Sequence, residues 1–224
     1  MHLPDGFLDP KISTGLLGAA TIALSYSFAR VKAALTAFVP QYAFALAGNK
    51  AKNFASGRLV LSRYAYLMGL VSAVIFLAQL FDFTLYPGVT GHILGGAFAA
   101  IILGPFGGVL AMATVLLSQA VFLGDGGLLA LGANIVNLAF ICSLGGYYLY
   151  AGLKKLLPDW LSIGLAAWLS VVLAAAAYGL EASLSGKAFI MPEMLKIHLI
   201  IGISEGLATI GLVGIFRKAF KSAF

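Results

Sequence analysis

The sequence is poor in charged residues and in cysteine. Only 10% of its 224 residues are charged, whereas soluble domains carry roughly 25%. The single cysteine, Cys142, excludes an intramolecular disulfide and gives no support to a cysteine-based zinc site. The sequence also lacks the Gly-x-x-x-x-Gly-Lys-Ser/Thr loop that binds phosphate, so the chain cannot hydrolyse ATP by that device.

Long apolar runs take up most of the chain, which is 61% apolar. The runs are continuous and do not alternate with a period of two, which favours helices over a membrane barrel. We therefore predict an all-α polytopic membrane protein, with residues 1–224 forming a single transmembrane domain. Seven transmembrane helices are predicted, the third of them short, at Ile12–Ala29, Tyr64–Phe81, Ile93–Leu103, Val109–Leu123, Leu128–Tyr150, Trp160–Leu180 and Leu195–Phe216.

The distribution of charge predicts which ends of the helices face the cytoplasm. The connection 30–63 carries six Lys and Arg residues and no acidic residue, so the positive-inside rule makes it cytoplasmic. Within it, the apolar stretch 33–47 around Pro40 is expected to lie at the interface or against the bundle. Seven crossings then place the N-terminus outside and the C-terminus in the cytoplasm of a prokaryotic cell. The same bias explains the net charge of +6 without nucleic acid as a partner.

Residues Met1 to Gly6 can chelate a metal ion if the chain begins with a free amine. The Met1 amine, the His2 amide nitrogen and the His2 Nδ1 atom close two fused chelate rings on one ion. Nitrogens in one plane suit Ni²⁺ or Cu²⁺, and also Co²⁺. Met1 is expected to be retained because His2 is large, and no signal peptide is expected. Most chains that begin Met-His bind nothing there, because termini fray.

Two later loops contain polar residues that are predicted to reach the same outer end of the bundle. His92 follows Gly91 at the start of the short third helix, where it is either a fourth nitrogen ligand or only the first residue of a helix. Asp125 lies in the sequence Gly-Asp-Gly-Gly, where it either orients the N-terminus or His92, or holds the turn. Asn134 and Asn137 are expected to bond between helices beneath the pocket, since an amide is a poor ligand for Ni²⁺.

Two ionisable residues lie within the predicted last helix. His198 and Glu205 are seven residues apart and therefore share one helix face. An ionisable group near mid-membrane is a functional candidate. We expect Glu205 to pair across the bundle, with Thr90 or Ser118 as candidate partners.

Several ordered motifs resemble one family of membrane proteins. They are Met-His-x-Pro-Asp-Gly at 1–6, Pro-Gly-x-Thr-Gly-His-x-Leu-Gly-Gly at 87–96, Leu-Gly-Pro at 103–105 and Gly-Asp-Gly-Gly-Leu-x-Ala-Leu-Gly-Ala-Asn-x-x-Asn at 124–137. Together with the sequence around His198, they resemble the CbiM/NikM family, the substrate-binding (S) components of energy-coupling-factor (ECF) importers for cobalt and nickel. The resemblance extends over most of the chain.

The resemblance implies a role in transport and not an enzyme. It implies that residues 1–11 form a metal-binding segment in which Met1 and His2, together with His92, bind Ni²⁺ or Co²⁺ as the transported substrate. Candidates for supporting contacts are Asp125, Thr90, Asn134 and Asn137. No prosthetic group is expected. The implied partners are a transmembrane T component, two ATPase subunits and the membrane lipid, and a small accessory membrane subunit is compatible with the resemblance.

Two groups of small residues are candidate docking surfaces for these partners. One is the face with Gly15, Ala19 and Ala23 in the first helix, and the other is the pair Gly202 and Gly206 in the last helix.

Two other functions fit parts of the sequence. The same architecture could bind a vitamin or another small molecule, which would not need the N-terminal amine. An intramembrane metalloenzyme is the second alternative, but the sequence has no His-Glu-x-x-His motif. A planar set of four nitrogens would also leave no open equatorial position for water.

Overall fold

The computed structural model describes residues 2–46, 52–81, 83–86, 89–188 and 190–220. Within these ranges the chain forms seven helices and one short antiparallel hairpin. The hairpin consists of β1 (Phe83–Tyr86) and β2 (Val89–Gly91), which pair Phe83 with Gly91 and Thr84 with Thr90. The helices are α1 (Pro10–Leu46), α2 (Lys52–Gln79), α3 (Gly96–Leu103), α4 (Pro105–Phe122), α5 (Leu131–Leu153), α6 (Asp159–Leu184) and α7 (Ile190–Ala219).

Six of the helices in the described part of the chain are long and apolar enough to cross a membrane. The exception is α3, whose eight residues extend over only about 12 Å of the roughly 30 Å hydrocarbon core. The prediction of an all-α polytopic membrane protein with a short third helix is confirmed. The hairpin lies in the connection between the second and third predicted helices.

The first two helices are longer than their apolar runs. The sequence predicted that α1 ends near Ala29 and that a separate interfacial stretch follows, but α1 continues through Pro40 to Leu46. Likewise, α2 begins at Lys52 and not at Tyr64. The basic connection 30–63 is therefore mostly helical in its described parts. Hydrophobicity marks the part of a helix that lies in lipid, and it does not mark where backbone hydrogen bonding ends.

The short helix α3 begins three residues later than predicted. Its N-cap residue Gly95 has a φ of 82°, a left-handed conformation that glycine adopts without steric cost. The preceding residues 92–95 form no regular secondary structure, and the N–H groups of Leu94 and Gly95 donate to Glu205 of α7. Pro105 ends α3 and occupies the first turn of α4, where its missing N–H costs nothing.

Helices α6 and α7 pack closely along a face of small residues. A methyl group on Gly206 would lie 2.8 Å from the carbonyl oxygen of Gly164, and one on Gly202 would collide with the ring of Trp168. The indole N–H of Trp168 donates a hydrogen bond to the Leu199 carbonyl at 2.9 Å. The sequence suggested Gly202 to Gly206 as a docking surface for a partner. That prediction is wrong, because α6 already covers this face.

An open apolar groove lies between helix α1 and its neighbouring helices. The groove has a volume of about 1190 Å³ and is lined by α1, α2, α4 and the first part of α5, including Leu24, Met68 and Leu117. No histidine lines it, so it is separate from the predicted metal site. The second predicted docking face, at Gly15, Ala19 and Ala23, is on this loosely packed helix and stays a prediction.

A charged network ties the helix ends that are opposite the N-terminal segment. Asp159 accepts hydrogen bonds from Arg217 at 2.6 Å and from the Tyr150 hydroxyl at 2.7 Å. Lys154 lies 3.1 Å from the same carboxylate. The network therefore joins α5, α6 and α7 at the end that the charge bias predicts to be cytoplasmic, which we call the inner end.

The packing of α6 on α7 predicts the effect of one added methyl group. We expect Gly202→Ala to lower the free energy of unfolding by about 1 to 3 kcal/mol, because the new Cβ overpacks against Trp168. Thermal unfolding in detergent measures the change. Gly211→Ala is the matched control on the same helix, since a Cβ there meets nothing within 4 Å. Equal stability of the two variants would contradict the close packing.

Candidate metal centre

The N-terminal segment is seated in the outer end of the bundle through the backbone of Leu3. The Leu3 N–H donates to Asn134 Oδ1 at 2.7 Å, and Asn134 Nδ2 donates back to the Leu3 carbonyl at 3.1 Å. The Gly127 N–H donates to the same carbonyl at 2.8 Å. The side chain of Leu3 is fully buried. The Asn134 side chain thus makes the pair of hydrogen bonds with the Leu3 backbone that a neighbouring β-strand would make.

Asp5 fastens the next turn of the segment to the start of α5. Its Oδ1 atom accepts the backbone N–H groups of Leu129 at 2.8 Å and Ala130 at 3.1 Å. These amides precede a helix, where a carboxylate is favoured. Gly127 makes this approach possible, because a methyl group at that position would collide with Asp5.

The loop between α6 and α7 holds the end of the segment where α1 begins. The ammonium group of Lys187 donates to the Phe7 carbonyl and lies 4.1 Å from the centre of the Phe7 ring. The backbone N–H of Asp9 donates to the Ser185 hydroxyl at 3.0 Å. Three separate parts of the bundle therefore hold residues 3–9.

This seating brings the rings of His2 and His92 together. Their centroids are 5.1 Å apart and their planes are inclined by 49°. With metal–nitrogen bonds of about 2.0 Å, two imidazoles that share one metal ion have centres roughly 4 to 6 Å apart. The side chain of His2 is 4% exposed and His92 is 7% exposed. The two rings are thus at a distance that one buried ion could bridge.

The ring of His92 is oriented by its neighbouring carbonyl. The Nδ1 atom lies 3.0 Å from the Ile93 carbonyl oxygen. A carbonyl only accepts, so Nδ1 carries the proton and Nε2 carries the lone pair that a metal needs. Burial lowers the pKa of His92 to about 3, and the ring is therefore neutral at physiological pH.

Asp125 connects the buried His2 ring to the surface. Its Oδ2 atom lies 2.9 Å from His2 Nδ1, and its side chain is 47% exposed. The contact with His2 lowers the pKa of the Asp125 carboxyl, which is therefore anionic. The two atoms are at ion-pair distance but not in hydrogen-bond geometry, and neither His2 ring nitrogen has a hydrogen-bond partner within the described part of the chain. Buried nitrogens without hydrogen-bond partners are unusual and could coordinate a cation.

The side chains in the described ranges do not by themselves form a conventional metal cluster. Among those residues, no group of three or more His, Cys, Asp and Glu side chains could hold a metal ion. A metal site here would need donors in addition to these side chains, such as main-chain nitrogens. The amide nitrogen of His2 makes no hydrogen bond with the described part of the chain. Met1 lies outside the described residues.

The remaining predicted site residues have different surroundings. Asn134 was expected to bond between helices, but its hydrogen bonds go to the backbone of Leu3. Asn137 does bond between helices, donating to Glu181 of α6 at 2.8 Å. The side chain of Thr90 lies outside the residues whose side chains are described. Asp125 is in direct contact with His2, in addition to its place in the Gly-rich turn.

Glu205 has partners that the sequence did not predict. It is fully buried and accepts the backbone N–H groups of Leu94 at 2.6 Å and Gly95 at 2.7 Å. Ser118, one of its predicted partners, instead donates within α4 to Thr114. Gln79 donates to the Leu94 carbonyl at 2.6 Å. A pattern of side chains could not show this, because the partners are main-chain groups more than 100 positions away.

Three comparisons show that this chain is similar to known membrane transport proteins. A family model described as the cobalt uptake substrate-specific transmembrane region, CbiM, matches residues 2–223. A crystal structure described as a truncated transition metal transporter superposes with a TM-score of 0.77 and 27% identity. That match covers 98% of this chain and 99% of the other.

Named relatives extend these matches. A protein of Archaeoglobus fulgidus, named as a fused nickel transport protein NikMN, is 34% identical over 98% of this chain. This chain spans 66% of the length of that protein, just under two thirds. A protein of Haloquadratum walsbyi, named as a metal transport protein, is 34% identical over 95% of this chain and 88% of its own length. The cobalt transport protein CbiM of Geobacter sulfurreducens is 30% identical over 68% of this chain and 47% of its own length.

The contacts of Leu3 predict what releases the N-terminal segment. We expect Asn134→Ala to raise amide hydrogen exchange of residues 2–8 by about ten- to a hundredfold, because groups left unpaired cost about 1 to 3 kcal/mol. Exchange followed by mass spectrometry measures this. Ser118→Ala is the control, since that hydroxyl bonds only within its own helix. Unchanged exchange in Asn134→Ala would contradict the role of this side chain.

Proposed function

Since the chain belongs to the CbiM family of cobalt uptake substrate-specific transmembrane regions, we propose that it is the S component of an ECF importer for Ni²⁺ or Co²⁺. The observation that carries this proposal is the approach of the His2 and His92 rings to 5.1 Å. The two residues are 90 positions apart in the chain, and both rings are buried at the outer end of the bundle. In this proposal the chain is a transport subunit and not an enzyme.

The proposed ligands are four nitrogens from three residues. The Met1 amine, the His2 amide and His2 Nδ1 form two fused chelate rings, and His92 Nε2 is the fourth donor. His2 Nδ1 lies 2.9 Å from Asp125 Oδ2, so metal binding through this nitrogen exchanges that contact for a metal bond. Asp125 then lies beside the cation as an anionic neighbour. A planar set of four nitrogens favours Ni²⁺, and Co²⁺ can be accommodated.

The contacts of the segment support a role as a plug over the ion. Metal would tie residues 1 and 2 to His92, while Asn134, Asp5 and Lys187 hold the rest of the segment. Asp125 is half exposed and anionic, and so attracts cations to the site. Movement of the S component driven by ATP then exposes the site to the cytoplasm. The ATPase activity is assigned to partner subunits.

The proposed partners are a transmembrane T component and two ATPase subunits. An accessory membrane subunit is also proposed. Its support is that the Archaeoglobus relative is named as a fusion and is longer than this chain. The alternative substrates, a vitamin or another small molecule, have no comparable support, because the relatives are named for nickel, cobalt or metal transport. A membrane metalloenzyme has no such support either.

The proposed ligand set predicts which changes weaken metal binding. We expect purified wild-type protein to bind Ni²⁺ or Co²⁺ tightly in calorimetric titrations. Acetylation of the Met1 amine, His2→Ala and His92→Ala should each weaken binding by at least a hundredfold, because each removes a metal–nitrogen bond and breaks the planar set.

The third histidine supplies the matched control for this titration. His198 is buried on α7, and its Nδ1 atom lies 2.7 Å from the Met194 carbonyl of the same helix. His198→Ala should therefore leave the metal affinity within about twofold of wild type, because it is not among the proposed ligands. Unchanged affinity in the acetylated protein, His2→Ala and His92→Ala would refute the site. Tight binding of a vitamin that ignores the blocked amine would favour the alternative.

Metal affinity should fall as the pH falls. The donors must lose protons to bind, and a free amine has a pKa of about 7.7 to 8.0. Below about pH 8 we therefore expect about a tenfold loss of affinity for each unit of pH through the amine alone. The pKa of His92 is about 3, so its ring adds no competition near neutral pH. Titrations between pH 6 and pH 9 test this, and a flat profile would exclude the amine as a ligand.

A further inference from the structure

Glu205 is a carboxylate with no exposure to solvent in the middle of α7. A charge in the interior of a membrane bundle is costly unless it is hydrogen-bonded. Here the carboxylate is paired, since Oε2 accepts the Leu94 N–H and Oε1 accepts the Gly95 N–H. Both oxygens thus bind the short segment that joins His92 to α3.

The segment is fixed from a second helix as well. The side-chain amide of Gln79, at the end of α2, donates to the Leu94 carbonyl at 2.6 Å. Leu94 itself is 1% exposed. Two helices that are distant in sequence therefore bind consecutive main-chain groups next to His92, and neither contact involves its ring.

One peptide group connects Glu205 to the ring of His92. The Leu94 N–H and the Ile93 carbonyl belong to the same planar unit and point in opposite directions. The carboxylate accepts from the N–H side, and His92 Nδ1 donates to the carbonyl side at 3.0 Å. The order of groups is carboxylate, peptide, imidazole. Hydrogen bonds in such a chain polarise one another.

From this arrangement we propose that Glu205 is a positioning residue for His92 and acts on it through the Ile93–Leu94 peptide. The proposal rests on the proposed function, in which His92 Nε2 is a metal ligand. The Glu205 carboxylate fixes the orientation of the Ile93–Leu94 peptide plane. The Ile93 carbonyl in that plane in turn fixes the orientation of the His92 ring through its hydrogen bond. The hydrogen bond that the Leu94 N–H donates to Glu205 also makes the Ile93 carbonyl a better acceptor, which makes the imidazole a stronger donor to the ion. Metal-binding histidines in other proteins are commonly oriented by carboxylates or carbonyls, and here the two are in series.

The series of contacts from Glu205 through the Ile93–Leu94 peptide to His92 predicts a specific effect of Glu205→Gln. An amide has one acceptor oxygen, so the variant loses the charge and one of the two main-chain hydrogen bonds. We expect the affinity for Ni²⁺ to fall about ten- to a hundredfold. The visible absorption bands of the bound Ni²⁺ should shift as well, because they report on the ligand geometry. Asp159→Asn is the matched control, because it weakens a carboxylate network between helices at the inner end. It should lower thermal stability and leave affinity and bands unchanged.

A double-mutant cycle with His92→Ala separates positioning from general support of the fold. We expect His92→Ala to keep weak but measurable Ni²⁺ binding, because three of the four proposed nitrogen donors remain. Adding Glu205→Gln should then cost less than about threefold further, because the ring on which it acts is gone. If Glu205→Gln cannot be purified folded, Glu205→Asp is used in the same cycle, since it keeps the charge and is one methylene shorter. An equal loss of affinity with and without the His92 ring would overturn the proposal, as would wild-type affinity and bands in the folded variant.

The outcomes distinguish this inference from the proposed function. If His92→Ala and His2→Ala bind Ni²⁺ as wild type does, the proposed ligand set is wrong, and the proposed role of Glu205 is wrong as well. If both histidine variants lose binding while Glu205→Gln binds Ni²⁺ normally, the ligand set is supported and only the proposed role of Glu205 is wrong. Both results are obtained with the same full-length protein and with Ni²⁺ alone as the probe.

Discussion

The structure of the outer end depends on how the backbone of Leu3 is hydrogen-bonded. A chain terminus is usually mobile because nothing pairs with its peptide groups. Here Asn134 pairs with both the N–H and the carbonyl of Leu3, and Gly127 adds a second donor to that carbonyl. With these groups satisfied, the Leu3 side chain can be buried completely, and His2 is carried into the bundle. This pairing is the contact of the segment closest in sequence to His2, and it places the His2 ring beside His92.

The second half of the site is held from below by Glu205 and Gln79. The segment 92–95 is irregular main chain inside a membrane protein, and such chain must find its hydrogen bonds within the protein. The carboxylate and the amide supply them at Leu94 and Gly95. This explains why α3 is short and begins at Gly96. The same bonds leave His92 above the helix, facing the N-terminal segment. The hydrogen bonds that satisfy the buried side chains of Glu205 and Gln79 therefore also set the position of His92.

Much of the architecture follows from residues that can be read directly from the sequence. The seven helices, the short third helix and its end at Leu103 were all predicted, because long apolar runs and the residues that interrupt them are local signals. Helix ends were predicted less well, as α1 shows by continuing to Leu46. Gly202 and Gly206 were predicted to form a docking surface for a partner, but they pack against α6 of the same chain. A small-residue pattern predicts that something packs closely, and it does not identify what packs there.

The sequence by itself determined that this is a helical membrane protein and that His2 and His92 are candidate metal ligands, because composition, apolar length and chelate ring size are properties of local chemistry. Only the tertiary structure decided that the two rings lie 5.1 Å apart. It also decided that Asn134 holds Leu3 and that Glu205 holds the segment beside His92. These contacts join a side chain to main-chain groups more than 100 positions away, and main-chain groups are the same in every residue. No pattern of side chains can therefore predict which of them a given carboxylate or amide will bind.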